Sequence, residues 1–374
     1  MSFTELDHQY MARAIELAQQ GRFTTAPNPN VGSVVVRDGE IVGEGYHRQA
    51  GGPHAEVFAL RQAEHLALGA TCYVTLEPCS HYGRTGPCAL ALVNAGVKKV
   101  IVAMLDPNPL VAGRGIQILQ DAGIEVQVGL LEGQARALNP GFLSRMERQK
   151  PYIRLKLATS LDGRIALANG KSQWISSAQS RSDVQLMRAQ AHAILSTATT
   201  VLADNARLTV RSEGLAIPSL DDGSVRQPVR VILDRSLKLT GQELLFSQNG
   251  PIVLVHDKQF KPAFEHPQVR FIGLNAVESG LNLNELMTVL AAENINDLWV
   301  EAGAVLAGSL WQAGLVDELI VYQAPVLLGD KAKAMLQLPN YSELSEAQHF
   351  VWTSVETLGP DLKLTARLEP CLPE

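Results

Sequence analysis

Residues 54–88 read HAEVFALRQAEHLALGATCYVTLEPCSHYGRTGPC, and the placing of the polar residues in this stretch decides how the first half of the chain folds. His54-Ala55-Glu56 opens a predicted helix running to about Leu68, the run Cys72–Leu76 predicts a strand, and Pro87-Cys88 starts another helix. His54, Cys79 and Cys88 therefore each fall at or near a helix start. One imidazole and two thiolates supply three protein ligands for a single tetrahedral Zn²⁺ and leave the fourth position open, as catalytic rather than structural zinc requires. A metal held there lowers the pKa of a bound water, and Glu56, two residues from the histidine, is suited to move its proton without ligating the metal. Helix N-termini add partial positive charge beside Cys79 and Cys88, which favours the thiolate form. A lone His or Cys is more often a cap or a small core residue, and Cys72 and Cys371 read that way. The combined H-A-E, P-C and P-C arrangement fits a zinc deaminase instead. Its departure from the commonest spacing, C-x-x-C, is the insert Ser80–Pro87, SHYGRTGP, which offers His81 and Arg84 among glycines as a substrate loop with a cation suited to phosphate.

Working outward, residues 3–20 place Phe3, Leu6, Tyr10, Ala14 and Leu17 at helical spacing before Gly21. VGSVVVRDGEIVGEGYH follows, two β-branched runs joined by Asp38-Gly39, a pair suited to a tight hairpin. Downstream, strands at Lys99–Met104 and Ile124–Val128 alternate with helices near Pro87 and Gly115–Ala122, which predicts a layered α/β/α domain. The charged run RMERQKP at 145–151 ends in proline before a fresh strand, YIRLKLA, so the expected domains are 1–146 and 147–374. The second predicts another α/β unit, with strands at Val229–Leu233, Ile252–Val255, Leu298–Val300 and Leu319–Tyr322, helices at Ala178–Gln190, Asn284–Ala292 and Ala304–Ala313, and two late strands.

The bulk composition narrows the function. At 374 residues the chain is too long for one ordinary core, and 46% hydrophobic with 19% charged residues is the balance of a globular protein. A net charge of −6 argues against nucleic acid as partner, because phosphate backbones require a concentrated basic surface. No stretch approaches the ~20 apolar residues of a membrane span, and no basic-then-apolar leader opens the chain, so no membrane partner and a cytoplasmic location are expected. Four cysteines in so long a chain do not form a disulfide framework.

In the second half, Gly113-Arg114-Gly115 is no dinucleotide fingerprint, since no strand precedes it and the third glycine is missing. The strand INDLWV followed by Glu301-Ala302-Gly303-Ala304 is the better candidate, because small residues at a strand-to-helix turn let backbone N–H groups approach a diphosphate. Tight helix–strand packing would explain the same residues.

The segments APNPNVG (26–32), HAE (54–56), TLEPCSHYGRTGPC (75–88) and DPNPLVAGRG (106–115), with KLATSLDG (156–163), SQWI (172–175), TVLAD (200–204), LTVR (208–211) and VEAG (300–303), resemble the bifunctional deaminase/reductases of riboflavin biosynthesis over essentially the whole chain. The resemblance implies a cytidine-deaminase-like domain followed by a dihydrofolate-reductase-like α/β domain with a mostly parallel sheet. It implies hydrolytic deamination of a diaminopyrimidine ribosyl phosphate with Glu56 shuttling protons, and substrate contacts from Asn28, His47, His81 and Arg84. For the second domain it implies NADPH-dependent reduction of the ribosyl group to ribityl. Ala158, Trp174, Thr200, Asp204 and the turn Gly303, Ala304, Val305, Leu306, Ala307, Gly308 and Ser309 would face NADPH. Ser172, Arg188, Leu208, Arg211 and Glu301 would face the substrate, two arginines suiting a ribose phosphate, one of them bidentate. Ala302 stands where many relatives have a second glycine. Lys156, Asp204, Glu301 or a water are all open as proton donor, and a homo-oligomer is expected.

Overall fold

The computed structural model describes residues 3–82, 86–109, 111–278 and 280–368. They divide into two compact units, one of residues up to Gln149 together with Pro218–Ser224, the other of Lys150–Ile217 and Val225 onward. Arg84 and Cys371 lie outside the described residues.

The first unit runs α1 (Glu5–Gln19), β1 (Gly32–Arg37), β2 (Glu40–Tyr46), α2 (Ala55–Ala63), β3 (Thr71–Val74), α3 (Cys88–Asn94), β4 (Lys99–Val102), α4 (Arg114–Asp121), β5 (Glu125–Val128), α5 (Glu132–Leu138) and α6 (Pro140–Arg148). Its sheet is ordered β2-β1-β3-β4-β5, with β1 antiparallel to both neighbours and β3, β4 and β5 parallel. Strand alternation splits the core in two. Val34, Val36, Tyr73 and Ile101 pack with Met11, Ile15 and Leu143 of α1 and α6, while Val35, Cys72, Val74 and Val100 pack with Ala59, Leu92 and Leu119 of α2, α3 and α4. The predicted three-layer order is therefore present. The helix expected to reach Leu68 ends at Ala63, where Glu64 takes a left-handed φ of 48° and a single 3-10 turn follows.

Two glycines of β2 decide where α2 sits. A Cβ on Gly43 would lie 2.1 Å from the Ala59 carbonyl oxygen, and one on Gly45 2.3 Å from that of Ala55, so the helix backbone rests directly on the strand. His54 and Glu56, at the start of α2, are placed by that contact.

The second unit contains β6 (Tyr152–Ser160), β7 (Arg164–Ala166), α7 (Ala178–Gln190), β8 (Ala193–Thr197), α8 (Ala198–Asp204), β9 (Val229–Leu233), β10 (Ile252–Asp257), β11 (Val269–Leu274), β12 (Ala276–Val277), β13 (Gly280–Leu281), α9 (Leu283–Ala292), β14 (Asp297–Glu301), α10 (Ala304–Gln312), β15 (Glu318–Ala324), β16 (Lys333–Ala334), β17 (Phe350–Leu358) and β18 (Asp361–Leu368). Nine strands form one sheet in the order β11-β10-β9-β8-β14-β6-β15-β18-β17, parallel from β11 to β15 and closed by two antiparallel strands. One face packs on α9 and α10 through Leu286, Leu290, Leu306 and Leu310. The other packs on α7 and α8 through Val184, Ala198 and Val201.

Gly45→Ala should push α2 off the sheet and destabilise the first unit by about 2–4 kcal/mol, the range of an overpacked close contact. Urea denaturation and metal content measured on the same preparation check it, since a shift in α2 lowers both together.

Candidate deaminase and reductase sites

In the first unit, His54 Nδ1 lies 3.5 Å from Cys79 Sγ and 3.3 Å from Cys88 Sγ, and the three donor atoms fall within 4.8 Å of one another. Tetrahedral zinc with bonds of ~2.3 Å to sulfur and ~2.0–2.1 Å to nitrogen holds such atoms roughly 3.5–3.8 Å apart, so this donor set fits the ion. Each donor is placed by backbone. His54 is the N-cap of α2, and Cys88 begins α3, where its N–H donates to Cys79 Sγ at 3.3 Å. The hydrogen bond between the two sulfurs pulls the Cys79 thiol down and pushes the Cys88 thiol up. A cation bound between them would favour the thiolate form of both. Glu56 is 3% exposed, and burial raises its carboxyl pKa, the direction useful to a group that must both take and give a proton near neutrality.

His47 is buried. Its Nδ1 is 3.0 Å from the Pro53 carbonyl, which can only accept, so Nδ1 carries the hydrogen and Nε2 accepts from Asn28 Nδ2 at 3.0 Å. The His47 ring meets that of His54 edge to face at 5.3 Å. The structure thus brings Asn28, His47 and His54 together, while His81 is exposed.

Two residues that the sequence reading passed over hold the frame. Glu77 is buried, and its carboxylate accepts the N–H groups of Asp106 at 3.2 Å, Gly113 at 3.0 Å and Gly115 at 2.9 Å. The glycine pair discarded as a nucleotide motif is therefore a clamp on the segment that leads into Cys79. Asp106 is buried too, and burial lifts its carboxyl to about 6.

The second unit has one large cleft, about 1660 Å³, at the C-terminal ends of the parallel strands, where open α/β sheets bind ligands. Ala158, Ser172, Trp174, Arg188, Thr200, Asp204, Leu208, Arg211, Glu301, Gly303, Ala304, Val305, Leu306 and Ser309 all line it. Ala307 and Gly308 do not. Ala307 is fully buried in the core, and a Cβ on Gly308 would sit 2.0 Å from the Gln337 carbonyl oxygen, so these two face away from the cleft, being on the packed side of α10. Gly303 is the N-cap of α10 with no side-chain cap and open space at its Cβ, which leaves the first amides of the helix for an anion such as a diphosphate. Trp174 is 66% exposed, with the Arg181 guanidinium 4.7 Å from its ring centroid. Leu208 is buried at a left-handed φ of 53°, strain located at the cleft wall.

The arginine pair differs from the expectation. Arg188 spends its bidentate edge on Glu301, with Nε to Oε1 at 2.6 Å and Nη2 to Oε2 at 2.8 Å, and donates Nη1 to the Thr209 carbonyl at 2.9 Å. Trp299 Nε1 adds a hydrogen bond to Glu301 at 2.9 Å. Arg211 is exposed in the cleft. Burial opposes ionisation of Glu301, but the charge and hydrogen bonds of Arg188, then Lys156 and Trp299, outweigh it and hold the carboxyl at about 2. Burial pushes Lys156 down.

Both halves match known families. The family described as the cytidine and deoxycytidylate deaminase zinc-binding region matches residues 4–104, and the family described as the RibD C-terminal domain matches residues 151–364. The chain is similar to the riboflavin biosynthesis protein RibD of Escherichia coli strain K12, 52% identical over 96% of this chain and 98% of that one. It is equally similar, at 52%, to that of Haemophilus influenzae, over 98% of each chain. Among solved structures, Acinetobacter baumannii RibD superposes with a TM-score of 0.90 at 44% identity, covering 98% of this chain and 99% of that one. A diaminohydroxyphosphoribosylaminopyrimidine deaminase/5-amino-6-(5-phosphoribosylamino)uracil reductase of Thermotoga maritima gives 0.84 at 33% identity, covering 97% and 99%.

Arg188→Ala strands a buried carboxylate and should cost about 3–5 kcal/mol of stability, whereas Arg211→Ala, at an exposed position, should stay within ~0.5 kcal/mol. Because the Glu301 pKa is lowered on folding, the pair's contribution is complete above the ~4.3 of a free glutamate and is lost as pH falls through about 2. Chemical denaturation of both variants at pH 7 tests the difference; equal losses would contradict it.

Proposed function

Since this chain belongs to the RibD family of riboflavin-biosynthesis proteins, we propose a role for each residue of its two active sites. The enzyme is bifunctional, a zinc-dependent deaminase and an NADPH-dependent reductase. The first unit deaminates 2,5-diamino-6-ribosylamino-4(3H)-pyrimidinone 5′-phosphate, and the second reduces the ribosyl group of 5-amino-6-(5-phosphoribosylamino)uracil to ribityl.

The observation that carries the deaminase reading is that the three zinc donors stand beside a buried carboxylate that is not one of them. His54, Cys79 and Cys88 hold zinc, which when bound lowers the pKa of a water. Glu56 takes a proton from the attacking water on a carboxylate oxygen and delivers it to the departing amine. Asn28, oriented by its hydrogen bond to His47, contacts the pyrimidine together with His81, and Arg84 holds the phosphate.

In the reductase, NADPH when bound supplies the hydride to C1′ of the ribosyl group. The free amides at Gly303–Val305 hold its diphosphate, and Ala158, Trp174, Thr200 and Asp204 shape the rest of the cofactor surface. Ser172, Leu208 and Arg211 take the substrate, with Arg211 on its phosphate. Glu301 fixes Arg188, and the pair orders the floor where Lys156 is aimed. The protein works as a homo-oligomer, a reading supported by the outermost strand β17, where Val351, Trp352 and Val355 are 46%, 57% and 61% exposed. No helix among the described residues is long and apolar enough to cross a membrane, and thiol ligands suit the reducing cytoplasm in which we place the enzyme.

Glu56→Gln separates the two activities. Zinc content and folding should stay near wild type while deamination falls ~10²- to 10⁴-fold, and the deaminated intermediate supplied from outside should still be reduced at the normal rate. Ammonia release, NADPH oxidation and zinc analysis read the three quantities; deamination within a few-fold of wild type would remove Glu56 from its role. Trp352→Glu should lower the molar mass measured by light scattering if β17 is the assembly surface.

A further inference from the structure

Residues 25–31, the stretch that carries Asn28, belong to no helix or strand. Backbone bonds hold the two ends of the stretch: Asn28 N–H donates to the Thr25 carbonyl at 2.8 Å, and the Val31 carbonyl accepts from His47 N–H at 2.9 Å. Between them stand Pro29, which has no N–H, and Asn30. Asn30 finds its partner 109 residues later, where its N–H donates to Asn139 Oδ1 at 2.7 Å and its carbonyl accepts from Asn139 Nδ2 at 2.8 Å. A peptide N–H only donates and a carbonyl only accepts, so these partners fix which way the Asn139 amide faces. One side chain thus gives Asn30 both bonds that a neighbouring strand would give it. The Asn30 side chain braces the same junction, its Oδ1 accepting from the Thr25 hydroxyl at 2.7 Å and its Nδ2 donating to the Leu138 carbonyl at 3.3 Å.

Asn139 is 9% exposed and forms the corner where α5 ends and α6 begins, as the N-cap of α6. An asparagine there ordinarily turns its side chain onto the first free amides of its own helix. In this chain Thr4, Ser177, Thr197 and Asn282 do so at the starts of α1, α7, α8 and α9. Asn139 makes no such bond to α6. Both groups of its amide go instead to Asn30, two residues from Asn28. Asn28 in turn donates to His47 Nε2 at 3.0 Å, and the His47 ring meets that of His54 at 5.3 Å. Contacts therefore run without a break from the α5–α6 corner to the zinc donor His54.

We propose that Asn139 is a positioning residue of the deaminase, which clamps the backbone of Asn30 and so holds Asn28 where it meets the pyrimidine. The inference rests on the reading of Asn28 as a substrate contact and adds the residue that places it. Hydrogen bonds weaken steeply with distance and angle, and a site built on a loop keeps its geometry only where a supporting shell fixes the loop. Asn139 is that support for residues 28–30, which have no sheet or helix ladder of their own.

The test uses the full-length, zinc-loaded enzyme with the diaminopyrimidine ribosyl phosphate, read by ammonia release. Asn139→Leu removes both bonds at similar size and should raise the KM of deamination about 10-fold, the scale of one lost hydrogen bond, with kcat changed less than about 3-fold, as for loss of uniform binding. Asn139→Asp keeps the acceptor for Asn30 N–H and loses the donor, so it should fall between Asn139→Leu and wild type. Zinc content, and reduction of the deaminated intermediate supplied from outside, should stay at wild type. The decisive comparison is a double-mutant cycle. If Asn139 acts through Asn28, then Asn28→Ala/Asn139→Leu should be no worse than Asn28→Ala alone, whereas a residue that only supports the fold would add its loss to that of Asn28. Additive losses, an unchanged KM in Asn139→Leu, or a parallel fall in zinc content and in both activities would overturn the proposal. If Asn139→Leu does not fold, Asn139→Ser, too short to reach both groups of Asn30, carries the same cycle. Asn28→Ala with a wild-type KM would overturn the reading of Asn28 together with the clamp; a raised KM in Asn28→Ala beside wild-type behaviour in every Asn139 variant would overturn the clamp alone.

Discussion

Two sulfurs and an imidazole nitrogen lie within 4.8 Å of one another, the spacing at which a single tetrahedral zinc can take all three. That constraint organises the first unit. The donors come from two segments that are distant in sequence, so the starts of α2 and α3 must both be held in place. Gly43 and Gly45 set α2 down on β2, and the Glu77 carboxylate, caged by three backbone amides, anchors the segment entering Cys79. A shift in any of these frame residues would change the spacing that makes the donor set a zinc site rather than three separate polar groups.

The grouping of His54, Cys79 and Cys88 was legible in the sequence because it is tied to local signals: a helix start at His54, a strand leading to Cys79, a proline ahead of Cys88. The helix Ala178–Gln190 was legible for a similar reason, with Ser177 capping it through a hydrogen bond to Ser180 N–H. What could not be read is pairing across the chain. Glu77 finds its partners 29 to 38 residues later, in loop amides that carry no side-chain signature. Gly43-x-Gly45 within a strand was the available signal for the close approach of α2, since glycine in a strand interior marks a neighbouring backbone. The polar stretch Pro218–Ser224 looks like an ordinary loop of the second half, and only its contacts, such as Asp221 N–H on Gln49 Oε1 at 3.3 Å, assign it to the first unit.

The reductase cleft shows the same limit at the level of partners. The family resemblance implied an arginine and a glutamate at 188 and 301, and both line the cleft, but their mutual bidentate pairing is a property of β14 lying beside β8, which follows α7. A helix N-terminus was foreseen at Gly303; which face of α10 then turns inward is set by packing, and Ala307 and Gly308 went to the core because Leu306, Leu310 and Trp311 bring that side of the helix onto the sheet.

Glu77, Glu301 and Glu56 differ in fate because their partners differ. Glu77 is surrounded by backbone amides, which only donate, so its carboxylate acts as a structural anion. Glu301 faces Arg188 at two-pronged contact distance, and the guanidinium holds its carboxyl well below the usual carboxylate range. Glu56 has neither an amide cage nor, among the described residues, an arginine or lysine salt bridge, and burial moves its carboxyl in the opposite direction. Of the three, Glu56 is the one that stands two residues from His54, beside the candidate zinc donors. The division of labour among identical side chains follows from what each was given to bind.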